Sequence, residues 1–194
     1  FRRGIPPKTK GDYAFILHMI ETLKPRTGRM AVVVPNGVLF RGSTEGTIRQ
    51  KLVEENLLDA VIGLPDKLFF GTGIPAAILV FRKRKSDDSV IFIDASREYE
   101  EGTNQNCLGP TQVDKIVATY LARTTVEKYA FRATLADIRG NDFNLNLPRY
   151  VDTYEEEGQI DLMAIRTERL RLKSEMEGLE TRMAGYLREL GYGS

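Results

Sequence analysis

Along the first half of the chain the spacing of apolar residues changes repeatedly, and each change marks an element. In DYAFILHMIETL (12–23), Ala14, Phe15, Leu17, His18, Ile20 and Leu23 fall mostly on one broad face, which predicts an amphipathic helix ended by KPRTG. MAVVVP (30–35) is a continuous, largely β-branched run, the pattern of a strand buried on both faces, and Pro35, Asn36 and Gly37 break it. TEGTIRQKLVEEN (44–56) returns to helical spacing with Ile48, Leu52 and Val53 inward, and LLDAVIGLP (57–65) is the next apolar strand. Strand, crossover helix and strand within about 35 residues predict one right-handed parallel unit. The stretch LPDKLFFGTGIP then leads to AAILVF (76–81) and, after RKRKSDD, to SVIFID (89–94). The short polar turn between these last two strands predicts an antiparallel hairpin at the sheet edge.

Beyond residue 95 apolar density falls. TQVDKIVATYLAR (111–123) predicts a short helix with Val113, Ile116, Val117, Tyr120 and Leu121 inward, and NDFNLNLPRYVDTYEEEG (141–158) reads as an irregular connector. Near the C-terminus, Leu162, Ile165, Leu172, Met176, Leu179, Met183, Tyr186 and Leu190 follow a 3-4 spacing with Arg169 out of character in the seam. A helix over 159–190 spans roughly 48 Å and cannot bury its own stripe. Its partner is the protein's own body, a second copy or another subunit. The expected division is an α/β part (1–95), a helical and irregular connector (96–158) and a long coiled-coil-like assembly helix (159–194).

Composition narrows the chemistry. The formal net charge is +1, so any attraction to phosphate must come from a local patch. Arg82, Lys83, Arg84 and Lys85 form one such patch, read either as a solvated turn that guards a sheet edge or as a phosphate contact. No apolar run reaches the length of a bilayer span and no segment resembles a signal peptide. A single cysteine, Cys107, excludes an internal disulfide and a cysteine metal site and fits a reducing cytoplasm. His18 is the only histidine, and its place in an amphipathic helix favours a core or rim residue over a base. FRRGIPPK opens without an initiator Met, as expected of a piece of a longer chain.

Two adjacent aromatics on a polar loop need a separate reason. In extended backbone Phe69 and Phe70 cannot both point inward, so one is available to stack on a planar group. Gly71 and Gly73 precede a strand instead of joining a strand to a helix, which excludes a dinucleotide fingerprint and leaves a hinge. In open α/β sheets ligands bind at the carboxyl ends of the strands. The loops after MAVVVP and LLDAVIGLP leave from such ends, and they are expected to converge on one rim.

The blocks PNGVLFRG, GTGIPAAILVF and DFNLNLPRYV, in the order they occur here, closely resemble the modification subunit of type I restriction–modification systems, an N6-adenine DNA methyltransferase. The resemblance runs through essentially the whole chain. It implies the C-terminal part of a Rossmann-like methyltransferase sheet, cytoplasmic location, and methyl transfer from S-adenosylmethionine to adenine N6 in a DNA site. The family's glycine-containing cofactor loop and its Asn-Pro-Pro-aromatic catalytic loop have no counterpart here, GIPPK included. The implied expectation is a piece that binds no cofactor and is inactive alone. By resemblance, one wall of the target-base pocket comes from LFFGTG, with Phe70 ahead of Phe69, Gly71 and Gly73 as hinges, and Asn36 nearby. The implied partners are DNA, a specificity subunit docked on the 162–190 stripe, a second methylation subunit and a restriction subunit. The alternative is an assembly module alone, working through the C-terminal helix.

Overall fold

Residues 2–153 and 162–192 are described by the computed structural model. The chain divides into two compact units, Phe1–Tyr154 and Glu155–Ser194.

The first unit is built on a mixed five-stranded sheet. Its strands are β1 (Arg29–Pro35), β2 (Leu58–Gly63), β3 (Ala76–Arg82), β4 (Val90–Asp94) and β5 (Ala130–Ala133), in spatial order β1-β3-β2-β4-β5. β3 runs antiparallel to both β1 and β2, β4 is parallel to β2, and β5 is antiparallel to β4. β1, β2 and β4 therefore share one direction.

The expected hairpin between 76–81 and 89–94 does not form. The hairpin is instead β2–β3, closed by the long loop 64–75, and β4 lies on the far side of β2. Two physical reasons favour this order. β3 is apolar along almost its whole length and at least half-buried throughout, which suits a central strand. The turn after it has only to pass the end of β2, two strand spacings or about 10 Å. Lys85 ties that turn to the end of β2: its Nζ donates to the carbonyls of Leu58 (2.6 Å) and Ser89 (2.7 Å). Asn56 Nδ2 adds a bond to the Asp87 carbonyl at 2.9 Å.

β1 also departs from its pattern. It is an edge strand, with Met30, Val32 and Val34 toward the core and Val33 51% exposed on the other side. On that second face the cluster under α3 takes in β2, β4 and the β3 residues Ile78 and Val80 but no residue of β1, so a β-branched run is buried on one side alone. β5 was not expected; it is four residues long, too short to show a period of its own.

One face of the sheet carries α1 (Asp12–Thr22), α2 (Ser43–Glu54) and α4 (Leu135–Gly140). α1 buries Tyr13, Ile16, Leu17 and Ile20, so Phe15 and His18 point to solvent, unlike the expected face. The rotation follows from Tyr13, whose hydroxyl donates to the Val38 carbonyl at 3.0 Å and gives a buried tyrosine its partner. The opposite face carries α3 (Pro110–Ala122), which buries Ile116 against Ala60, Ile62, Ile91 and Ile93. Val113, Val117 and Leu121, expected inward, are exposed. Polar contacts set the roll of this helix: Tyr120 donates to Asp59 Oδ2 (2.5 Å), and Arg123 pairs with Asp59 Oδ1 (3.0 Å). Asp59 is fully buried at an irregularity in β2, so both partners are required there.

The second unit contributes α5 (Leu162–Glu189), 28 residues or about 42 Å long, with no buried residue. Residues 159–161 of the expected assembly helix lie outside the described residues.

Candidate functional site

Register places the strand ends directly. Pro35, the last residue of β1, faces Ala76, and Gly63, the last of β2, faces Ala77 on one side and Asp94 on the other. The loops that follow β1, β2 and β4 thus leave one end of the sheet, with β1 and β2 only about 10 Å apart across β3. This end is the rim that the sequence pointed to.

The loop 64–75 divides into a pinned shoulder and an open tip. In the shoulder Leu64 N donates to the Ala76 carbonyl at 2.9 Å and Pro65 is buried. Three successive carbonyls are then taken by one neighbouring segment: Asn106 Nδ2 donates to Asp66 O (3.0 Å), Asn106 N to Lys67 O (3.0 Å) and Gln105 Nε2 to Leu68 O (2.5 Å). The tip begins at the next residue. Phe69 is 40% exposed and Phe70 93% exposed, and Ile74 is exposed beside them. Gly71 adopts φ +77°, a left-handed conformation that glycine takes without strain, whereas Gly73 is exposed with no positive φ. Inside the tip the Ile74 amide donates to Thr72 Oγ1 at 3.1 Å.

Asn36 opens the loop after β1. It is half-buried, and its Oδ1 is buried without a hydrogen-bond partner. The loop continues as a short 3-10 turn, Asn36–Leu39, and Leu39 O accepts from Leu145 N at 2.9 Å. Through that bond the Asn-rich segment joins the rim. Arg49, buried on α2, donates to the carbonyls of Phe143 (2.7 Å), Arg41 (2.9 Å) and Val38 (3.3 Å), which ties the segment to the β1 loop. Tyr150 stacks on Phe92 with ring centroids 3.7 Å apart and donates to the Asn144 carbonyl at 2.7 Å. Leu145, Leu147 and Val151 are core residues, so 143–151 is packed into the sheet body.

The basic turn lies elsewhere. Arg82 faces Arg29, the first residue of β1, so residues 82–85 stand at the opposite end of the sheet from Phe70. Six steps of extended backbone, about 20 Å, separate Ala76 from Arg82. Within the turn Lys85 points inward, and its burial pushes the ammonium down to about 8. Arg84 is exposed and Lys83 and Arg82 are half-buried. The structure brings Phe69, Phe70, Gly71, Gly73 and Asn36 to one rim and leaves Arg82, Lys83, Arg84 and Lys85 out of it.

The stripe runs along α5 and one residue past its end, at Leu190. Leu162, Ile165, Leu172, Met176, Leu179, Met183, Tyr186 and Leu190 are each more than half exposed. Arg171 bridges Glu168 and Glu175, with Glu168 bordering the seam between Ile165 and Leu172, and Lys173 lies 3.9 Å from Glu177. Among the described residues no cluster of His, Cys, Asp and Glu could hold a metal ion, and no helix is long and apolar enough to cross a membrane.

Gln105 and Asn106 are the rim residues that sequence reasoning missed. Isolated amides in a loop carry no period and no motif, so nothing in the chain marked them.

Comparison with known proteins gives the site a context. Residues 1–159 match the N-6 DNA Methylase family. A type I restriction enzyme methylase subunit of Methanocaldococcus jannaschii, MjaVII, is 37% identical over 83% of this chain and 28% of its own length. A second from the same organism, MjaVIII, is 33% identical over 96% of this chain and 33% of its own length. The crystal structure of the type I restriction–modification system methyltransferase subunit from Streptococcus thermophilus superimposes with a TM-score of 0.76 and 47% identity, over 77% of this chain and 32% of that one. The chain thus spans about a third of the length of the relatives it matches. With a mixed α/β sheet, a rim of convergent loops and this similarity along most of its length, the chain belongs to the N-6 DNA methylase family, as part of a methylation subunit of type I restriction–modification systems.

Proposed function

We propose that this segment supplies one wall of the target-base pocket in a subunit that transfers a methyl group from S-adenosylmethionine to adenine N6 in DNA. Phe70 carries this reading: an aromatic 93% exposed at a loop tip, on the rim shared with the β1 loop. An enzyme acting on a base inside a duplex must take it out of the stack and hold it. A phenyl ring supplies that holding force without reading sequence, at roughly 1–3 kcal/mol per stacked base. Phe70 makes the stack, Phe69 flanks it, and Gly71 and Gly73 let the tip close. The Asn36 amide lies on the loop facing them. S-adenosylmethionine is the methyl donor of the intact subunit, and no residue of this chain is assigned to hold it. We assign the catalytic Asn-Pro-Pro-aromatic loop to the rest of the subunit as well, so the segment alone is inactive. In this reading the sheet is part of a Rossmann-like methyltransferase domain in a cytoplasmic enzyme.

The test is Phe70→Ala in the full-length subunit. Affinity for DNA carrying a mismatched or unpaired adenine should fall about 5- to 100-fold, while S-adenosylmethionine affinity stays constant. An equal fall in cofactor affinity would refute the assignment.

A second role is favoured by a separate observation, the exposed stripe along α5. We propose that it forms a coiled-coil-like contact with a specificity subunit, which selects the DNA site. A second methylation subunit and a restriction subunit complete the assembly.

A further inference from the structure

We propose that Asn106, with Gln105, is a positioning residue that sets the height and angle of the aromatic tip. This inference rests on the reading of Phe70 as the stacking residue.

The contacts single out this pair. Three consecutive carbonyls, of Asp66, Lys67 and Leu68, accept from Asn106 Nδ2, Asn106 N and Gln105 Nε2, and the next residue is Phe69. Asn106 Nδ2 also reaches Asp66 Oδ1 at 3.1 Å, so one side-chain amide holds both the backbone and the carboxylate of the same residue. Asn106 is 7% exposed, although it stands in a polar loop. Burying an amide is unfavourable unless its donors are used, and here both are directed at Asp66. Lys67 adopts φ +49°, so the shoulder holds a conformation that a non-glycine residue adopts at a cost when no contacts hold it there.

The strut is itself braced. Glu100 and Cys107 exchange two backbone bonds (2.8 and 3.0 Å), which closes 100–107 into a small loop just before α3. α3 is in turn fixed to β2 through Tyr120, Arg123 and Asp59. The shoulder of the aromatic loop is thus referred to the rigid sheet by two independent routes, β2 directly and α3 through the strut. Among the described residues, the one hydrogen bond within the tip beyond Leu68 is that of Ile74 to Thr72. A tip tethered so sparsely takes its orientation from its base. Stacking needs the ring at the right height, since a misplacement of about 1 Å is enough to cost 100-fold in rate.

The experiment uses the full-length subunit in its assembled enzyme, with kcat read on unmodified DNA and base extrusion on DNA that carries 2-aminopurine in place of the target adenine. Its fluorescence rises when the base leaves the stack. Asn106→Asp keeps the shape, removes the donor and sets a second carboxylate against Asp66. We expect at least a tenfold loss in kcat and in the fluorescence rise, with S-adenosylmethionine affinity unchanged and the thermal midpoint lowered, since the buried carboxylate faces acceptors only. Adding Asp66→Asn restores the side-chain bond with donor and acceptor exchanged, though not the bond to the Asp66 carbonyl, and should recover part of both. Loss of folding in Asn106→Asp, or loss of activity with normal fluorescence, would overturn the positioning role. If Phe70→Ala abolishes the fluorescence rise and Asn106→Asp does not, the strut fails and the stacking reading stands. If Phe70→Ala leaves the signal intact, both are wrong.

Discussion

Gly63 ends β2 where no side chain fits: an added Cβ would lie 2.4 Å from Leu147 Cδ1. That closeness is how the LNLPRY segment seats itself over the sheet end. Gly63→Ala should therefore lower stability by about 1–3 kcal/mol, the usual cost of overpacking, as a drop in the midpoint of thermal denaturation. A variant as stable as the parent would show that Leu147 can yield. Lys85 makes a second residue-scale case. Its ammonium titrates at about 8 when folded, against 10.5 when free, because burial penalises the charge. Between those values the unfolded chain holds a proton that the folded one has lost. Its stabilising contribution therefore rises with pH across that window and is lost as pH falls through 8. Denaturant titrations should show the parent gaining stability over Lys85→Met from pH 8 to 10.5, and a flat difference would exclude it. Phe70 was legible from its neighbours, since two adjacent aromatics cannot both be interior. Lys85 was not, because a basic run has the same appearance whether its members point to water or to carbonyls.

At the scale of elements, local period located nearly every helix and strand, and pairing was the weak point. Which strands become neighbours depends on contacts far apart in sequence, and loop length misled here. The seven-residue turn joins strands that never touch, and the twelve-residue loop 64–75 closes the hairpin. Helix faces slipped for a related reason: Tyr13 and Arg123 took inward positions through polar bonds that a hydrophobic pattern cannot register, while Tyr120, expected inward, is held by its bond to Asp59. α5 is the opposite case, where the pattern is strong and nothing in its own unit covers it. Placing Glu at two seam positions one heptad apart, Leu172→Glu with Leu179→Glu, should abolish co-elution with a specificity subunit in gel filtration. Circular dichroism should show the α/β unit still folded. A complex of unchanged size would rule out the seam as the contact.

For the molecule as a whole, the two ends of the sheet have different characters. One end gathers the exposed Phe70, the Asn36 loop and the Asn-rich segment. The other carries Lys85, Ser89, Asp59, Arg123 and Arg132, bound to one another and to strand carbonyls. The common rim could be anticipated because carboxyl ends of parallel strands coincide in open sheets. The distance from that rim to the basic turn could not, because it depends on the direction of β3 and on which strands flank it.

The placement of β3 bears on how the chain is made. β1 and β2 leave the ribosome first, yet the strand lying between them follows in sequence. Until residue 82 has emerged, neither has β3 beside it. The β1-β3-β2 ladder therefore closes only after the aromatic loop that precedes β3 is already out.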